Sequence, residues 1–317
     1  MTTTLTRAVE RRPPSTPPPP RRRRTSWWPY LLIAPTVLAT GFLLLYPLAR
    51  NVVISVHEFG LPQLVRGDAR FVGLANYARV LADPEFWAVV RRTLVFTAIN
   101  VVLIMVLSTL VALLLVRLGK WARLLVMTGL VLVWATPVIA ATTVFQWLFQ
   151  SRLGVVNWAL VSLGFEGYRD YTWFADGPAT FGILVALIVW QSVPFAALSL
   201  YAAMVTIPSE LYEAARMDGA GAWRVFAAIT FPMLRAMFGL ITCLEVIWVV
   251  KAFVQIWVIS QGGPGQATTT LPVYAFQVAQ SLQRYDLGAA VSMLMVLLLV
   301  LVLLAYFRQL YRQEEVS

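Results

Sequence analysis

Apolar residues in this chain are gathered into six long runs, separated by shorter polar stretches. The runs cover roughly residues 30–50, 94–116, 124–148, 180–206, 233–259 and 287–307. Each has about the length that a helix rising 1.5 Å per residue needs to cross ~30 Å of hydrocarbon. Five of them carry no charge before their last residue. In lipid every backbone N–H and C=O must find its partner inside its own segment, so such runs predict helices. Pro35, Pro47, Pro137 and Pro194 fall inside the predicted helices, where a neighbouring helix or a wet cavity accommodates a kink. The expected fold is all-α and integral to a membrane, with six transmembrane helices.

The stretches outside the runs set the organisation. Residues 1–29 are dominated by Pro and Arg, with "RRPPSTPPPPRRRRTS" at their heart and no apolar periodicity. They read as a disordered tail, followed by a membrane domain over 30–307 and a short tail over 308–317. The run after the tail is too long for a signal-peptide core, and no small-residue cleavage site follows it. If the Arg-rich tail is cytoplasmic, the pieces on its side (1–29, 117–123, 207–235 and 308–317) hold 15 of the 25 Lys and Arg residues. The pieces on the other side (51–93, 149–179 and 260–286) hold 8. The excess predicts both termini and the 207–235 segment in the cytoplasm.

Composition narrows the function. The 317 residues are 59% hydrophobic and 13% charged, against about 25% charged in soluble domains. The net charge of +10 is concentrated at one end, which reads as topology and not as nucleic-acid binding. Cys243 is the single cysteine and His57 the single histidine, so no intrachain disulfide, His- or Cys-ligated metal site or Ser-His pair is expected. Gly119-Lys120 is followed by Trp121, which is not a phosphate-binding loop. The chain is therefore expected to be no enzyme, to hold no cofactor and to bind no ATP through such a loop.

One polar segment stands out, "IPSELYEAARMDGAGAWRVFAAITFPML" from Ile207 to Leu234. Ser209 is placed to cap a helix, with Glu210 and Glu213 where the helix dipole favours negative charge. Ala214 and Ala215 extend that helix to about Met217 with little side-chain bulk. Asp218-Gly219 breaks it. A second short amphipathic helix then carries Trp223, Phe226, Ala227 and Thr230, and Pro232 ends or kinks it before the next span. Local chemistry leaves two readings open, an amphipathic connector on the membrane surface and a docking helix shaped to enter a cleft on a cytoplasmic partner.

At this point the sequence resembles a family. "EAARMDGAGAWRVFAAITFPML" is similar to the cytoplasmic-loop signature of permease subunits from binding-protein-dependent ATP-binding-cassette (ABC) importers. Glu213, Ala214, Ala215, Gly219, Ile229 and Pro232 match that signature in order and spacing, with Phe231 where Leu is common. "RFVGLANYARVL", "WQSVPF", "ISQGGPGQATTTLPVYAF" and "YDLGAAVS" resemble the carbohydrate-uptake branch, the maltose-type permeases. Val254, Ser260 and Gln261 depart from that branch's common residues. The resemblance spans about residues 29–310. It implies a type I importer fold with a cytoplasmic coupling helix. It also implies a second permease subunit (a paralogue by the habit of this branch), two ATPase subunits and an extracytoplasmic solute-binding protein. Glu213, Ala214, Ala215, Asp218, Gly219, Ile229 and Pro232 are then the expected ATPase-coupling residues.

Candidates for the substrate path are weaker. Glu245 and Lys251 are ionisable groups well inside a span, where such residues usually face a cavity or a partner. They lie six apart and share no helix face. Lys251 can line a cavity or snorkel toward the external interface. Trp190, Gln191, Gln255 and Trp257 could supply the stacking and amide hydrogen bonds a sugar needs, and the tryptophans could equally be interfacial anchors or packing. The reading is a sugar-importer permease. The alternatives are an ABC permease for a polyol phosphate, polyamine or amino acid, or a secondary transporter.

Overall fold

A computed structural model describes residues 27–314; residues 1–26 of the tail expected over 1–29, and 315–317 of the one expected over 308–317, lie outside the described residues, while helix already starts at Trp28 and runs on to Glu314. The protein divides into two compact units, one ending at Leu48 and one beginning at Ala49. The first helix, α1 (Trp28–Ser55), starts in the first unit, and there Phe42 stacks on Tyr46 at 5.5 Å.

The second unit holds everything else. A two-residue ribbon pairs β1 (His57–Glu58) antiparallel with β2 (Arg70–Phe71) around the short α2 (Leu61–Arg66), and α3 (Ala75–Ala82) follows. Then comes α4 (Pro84–Arg117). Its start is set by Asp83, whose carboxylate accepts from the Glu85 N–H at 2.9 Å, with Pro84 where no N–H is needed. At 34 residues it is about 51 Å long and overshoots the hydrocarbon. Arg123 caps its far end, donating to the carbonyls of Leu115 and Leu118 at 2.9 and 2.7 Å while lying over the Tyr201 ring.

The third apolar run is not one straight helix. It forms α5 (Lys120–Trp134) and α6 (Val138–Leu148), bent by 97° across Ala135–Pro137. Pro137, expected inside a helix, instead caps α6, because its ring and missing N–H forbid the preceding turn from continuing. Among the described residues five helices are therefore long and apolar enough to cross a membrane, or six if the bent pair is one span. Pro35, Pro47 and Pro194 do lie inside helices, as expected.

After α7 (Val155–Ser162), α8 (Gly177–Met204) begins at another Asp cap, Asp176 accepting from the Ala179 N–H. It packs along α4 more extensively than any other helix pair. Phe96, Ile104, Leu184, Leu187 and Leu200 are fully buried in the core to which that pair contributes. Ser108 of α4 donates across to the carbonyl of Val193, next to Pro194 inside α8. Residues 209–230 form α9 (Ser209–Met217), α10 (Ala222–Val225) and one π turn over Phe226–Thr230. They lead without a break into α11 (Phe231–Val250). The chain ends through α12 (Val254–Ser260), α13 (Leu271–Phe276) and α14 (Tyr285–Glu314).

At the end of the bundle away from the 209–230 segment, a polar cap ties distant parts together. Tyr274 donates to Asp83 at 2.9 Å, Arg92 donates to the Thr269 carbonyl at 3.0 Å, and Thr93 accepts from the Leu271 N–H at 2.9 Å. Burial, and then the hydrogen bond to the Asp83 carboxylate, push the Tyr274 phenol above its ordinary value. Arg284 pairs with the fully buried Asp286 at 3.1 Å. Every one of these groups would be costly to bury unpartnered.

Candidate functional site

The 207–235 segment folds much as the sequence suggests, with two corrections. Ser209 does not cap α9: Pro208 occupies the cap position without a side-chain hydrogen bond, and Ser209 is the first helical residue. Pro232 does not end the second helix either. It sits in the first turn of α11, in a helix that continues from Ala222, and the π turn just before it absorbs the change of register that its missing N–H imposes.

Gly219 closes α9 in the left-handed region, at φ +70°. Its N–H donates to Arg216 O at 3.0 Å and the Ala220 N–H donates to Ala215 O at 2.9 Å. That pair of bonds is the Schellman arrangement, and it satisfies carbonyls that a helix end otherwise leaves free. A β-carbon at Gly219 would meet no atom within 4 Å, so the backbone angle, not crowding, demands glycine. Glu213, Ala214, Asp218 and Gly219 are exposed, and Ala215 and Ile229 are half-buried. Glu213 has no ion-pair or hydrogen-bond partner among the described residues. Met217 and Trp223 are 88% and 77% exposed, so two large apolar groups stand beside unpaired charges. Tyr212 shares a hydrogen bond with Thr230 at 3.2 Å, which ties α9 to the root of α11.

The path candidates divide. Gln191 of α8 and Gln255 of α12 are brought together, the Gln255 amide donating to Gln191 Oε1 at 3.2 Å. Trp190 lies on the Phe145 ring of α6 at 5.7 Å. Trp257 stacks on Phe253 at 5.7 Å and meets the edge of Phe276 at 4.7 Å. Phe253, Phe276 and Phe145 were not singled out from the sequence, because a phenylalanine in an apolar run carries no signal of its own. Lys251 stands exposed at the break between α11 and α12, where residues 251–253 leave the helix. Glu245 is fully buried, and neither carboxylate oxygen has a hydrogen-bond partner among the described residues. The two do not pair, as their spacing suggested. A cavity of about 410 Å³ opens beside Phe253 and Phe276, with Asn51, Tyr285 and Ser292 on its wall.

Comparison with known proteins decides what this arrangement belongs to. Residues 104–313 match the family described as "Binding-protein-dependent transport system inner membrane component". The chain belongs to that family. The permease is a multi-pass inner-membrane transport subunit of ABC type and not an enzyme. It is 48% identical over 287 residues to the diacetylchitobiose uptake system permease protein DasB of Streptomyces coelicolor, covering 90% of this chain and 88% of that protein. It is 32% identical to the trehalose/maltose transport system permease protein MalF of Thermococcus litoralis, covering 88% and 92% of the two chains. Its fold superposes on a chain of a bacterial ABC transporter involved in the import of the acidic polysaccharide alginate. That match has a TM-score of 0.76 at 19% identity and covers 90% of this chain and 96% of the other. The likeness places the permease in the type I importer fold expected from the sequence.

Proposed function

We propose that this permease forms half of the translocation path of an importer for a small acetylated oligosaccharide of the diacetylchitobiose kind. Two ATPase subunits work below it, a second permease, a paralogue, stands beside it, and a solute-binding protein delivers the sugar from outside. The observation that carries the substrate class is the 48% identity to DasB over 90% of this chain. Both termini and the 207–235 loop face the cytoplasm, in keeping with the Lys and Arg excess on that side.

In this reading α9 enters a groove on the ATPase. Glu213 accepts there from a cationic or N–H donor, Ala214 and Ala215 allow close approach, and Asp218-Gly219 holds the turn. Ile229 and Pro232 fix the root of α11. When the ATPase subunits close on ATP, α9 is displaced, and the Tyr212–Thr230 bond and the unbroken run from Ala222 into α11 carry the movement upward. It reaches the break at Lys251, where the Gln191–Gln255 pair and the Trp257 cluster line the path. Trp190 and Lys251 complete the candidate lining, and Glu245, fully buried, stands behind it. Rigid elements with two discrete arrangements can transmit such a shift. Aromatic faces and amides suit a sugar, because pyranose rings stack on the first and their hydroxyls bond the second.

Calorimetry of the cognate binding protein against a panel of sugars tests the substrate class. Tight binding of diacetylchitobiose over maltose and over polyamines is expected. Preference for a polyamine or amino acid would overturn the sugar assignment.

A further inference from the structure

A groove of about 790 Å³ lies between the second half of α4, the end of α8 and the α9–α11 segment. Its composition is graded. Arg117, in the last turn of α4, and Arg216, near the end of α9, stand among its lining residues, and no acidic residue lines it. Neither guanidinium has a carboxylate partner or side-chain hydrogen bond among the described residues. Down α4 the wall continues through Leu113 and Leu110 as far as Met105, faced by Phe238 of α11. Twelve residues of helix carry that wall about 18 Å into the apolar span.

The occupant can be read from this gradient. Arg117 and Arg216 are both exposed lining residues, and planar guanidiniums match the bidentate geometry of a phosphate. A free anion would use the arginines and leave the apolar wall idle, and an apolar helix would use the wall and bury the arginines unpaired. A ligand with an anionic phosphate head and hydrocarbon tails satisfies both ends. Basic pockets between spans at the membrane surface are of the kind that hold acidic lipid headgroups. We propose that this groove is a binding site for an anionic glycerophospholipid, its phosphate between Arg117 and Arg216 and its acyl chains along α4 and Phe238.

Arg216, Trp223 and the π turn form one wall, so an occupied groove also braces the segment that precedes α11. The consequence for coupling rests on the reading of 207–235 as the coupling loop; the binding itself does not.

The test uses the intact importer complex, stripped of lipid in detergent and exposed to equal phosphatidylglycerol and phosphatidylcholine. Retained lipid is counted by native mass spectrometry. The expected result is roughly thirty-fold preference for phosphatidylglycerol, the effect of two cations at an anionic headgroup. The preference should disappear in the Arg117→Gln/Arg216→Gln double variant and persist in Arg235→Gln, whose side chain does not line the groove. Excess inorganic phosphate should leave the lipid in place. Equal retention of both lipids by the parent complex would overturn the proposal, and this arm needs no variant to fold. So would an unchanged preference in the double variant, displacement by phosphate alone, or a crosslink to the second permease from a photoactivatable benzophenone side chain placed at Leu113, which would put protein in the groove. Lipid is counted without ATP turnover, so failure of the coupling reading leaves these outcomes legible.

Discussion

Replacing Gly219 by valine, with asparagine as the companion variant, probes the turn that ends α9. The glycine sits at φ +70°, where an L-residue pays about 1–2 kcal/mol and a β-branched side chain more. Valine therefore has two courses. It can hold the left-handed angle and carry that strain, or relax and lose the bonds from Gly219 N to Arg216 O and from Ala220 N to Ala215 O. Each such bond contributes about 0.5–1.5 kcal/mol, so both courses cost a similar amount. At 1.4 kcal/mol per tenfold, α9 would hold its docking shape about five- to thirtyfold less often. Nothing stands within 4 Å of the added β-carbon, so insertion and folding of the bundle should be unaffected. Asparagine tolerates the left-handed angle and should restore most of the function. The assay is stimulation of ATP hydrolysis by sugar-loaded binding protein in the reconstituted complex. Normal stimulation by the valine variant would refute the reasoning, and so would an asparagine variant as impaired as valine, since the demand would then be for space.

Other consequences can be checked separately. Glu213→Ala should weaken association with the ATPase by about 1.5–3 kcal/mol, the worth of a hydrogen bond to a charged group, as read by co-purification under titration. Tyr274→Phe should lower the melting temperature of the complex by removing the bond to Asp83. The raised phenol of Tyr274 stabilises the folded state fully below its ordinary value of about 10. That contribution is lost as pH rises above about 10, so the parent should lose stability there faster than the variant. Gly288→Val should destabilise the packing of α14, because even a β-carbon there would lie 2.6 Å from Ala279 Cβ and 2.9 Å from Ala275 O. Its yield in membranes measures this. Trp257→Ala should depress uptake with little effect on basal ATP hydrolysis.

The sequence was legible wherever one physical constraint dominated. Long uncharged runs fixed the spans because lipid allows no unpaired backbone, and Gly219 announced its turn because few residues accept that angle. It was less legible where tertiary contacts arbitrate. Pro137 could have kinked a span or broken it, and the 97° bend depends on where α6 finds α12 and α8 to pack against. Pro232 could have ended the helix or kinked it, and a π turn over Phe226–Thr230 delivers it into the first turn of the next helix. At the candidate path, Gln191 and Gln255 were visible as amides in apolar surroundings. Their pairing across 64 positions of sequence was not, and neither was the Phe253–Trp257–Phe276 cluster. Periodicity cannot distinguish an aromatic residue in a core from one beside a cavity.

The central claim is that ATP hydrolysed by a separate subunit drives sugar through this permease by way of α9. Its most direct test is import of labelled diacetylchitobiose into proteoliposomes holding the complete complex, with ATP supplied only on the ATPase side and binding protein only on the other. The account predicts uptake that needs both, is insensitive to ion gradients and falls sharply in Gly219→Val. Uptake by this chain alone on an ion gradient, or uptake that ignores the Gly219→Val substitution, would contradict it.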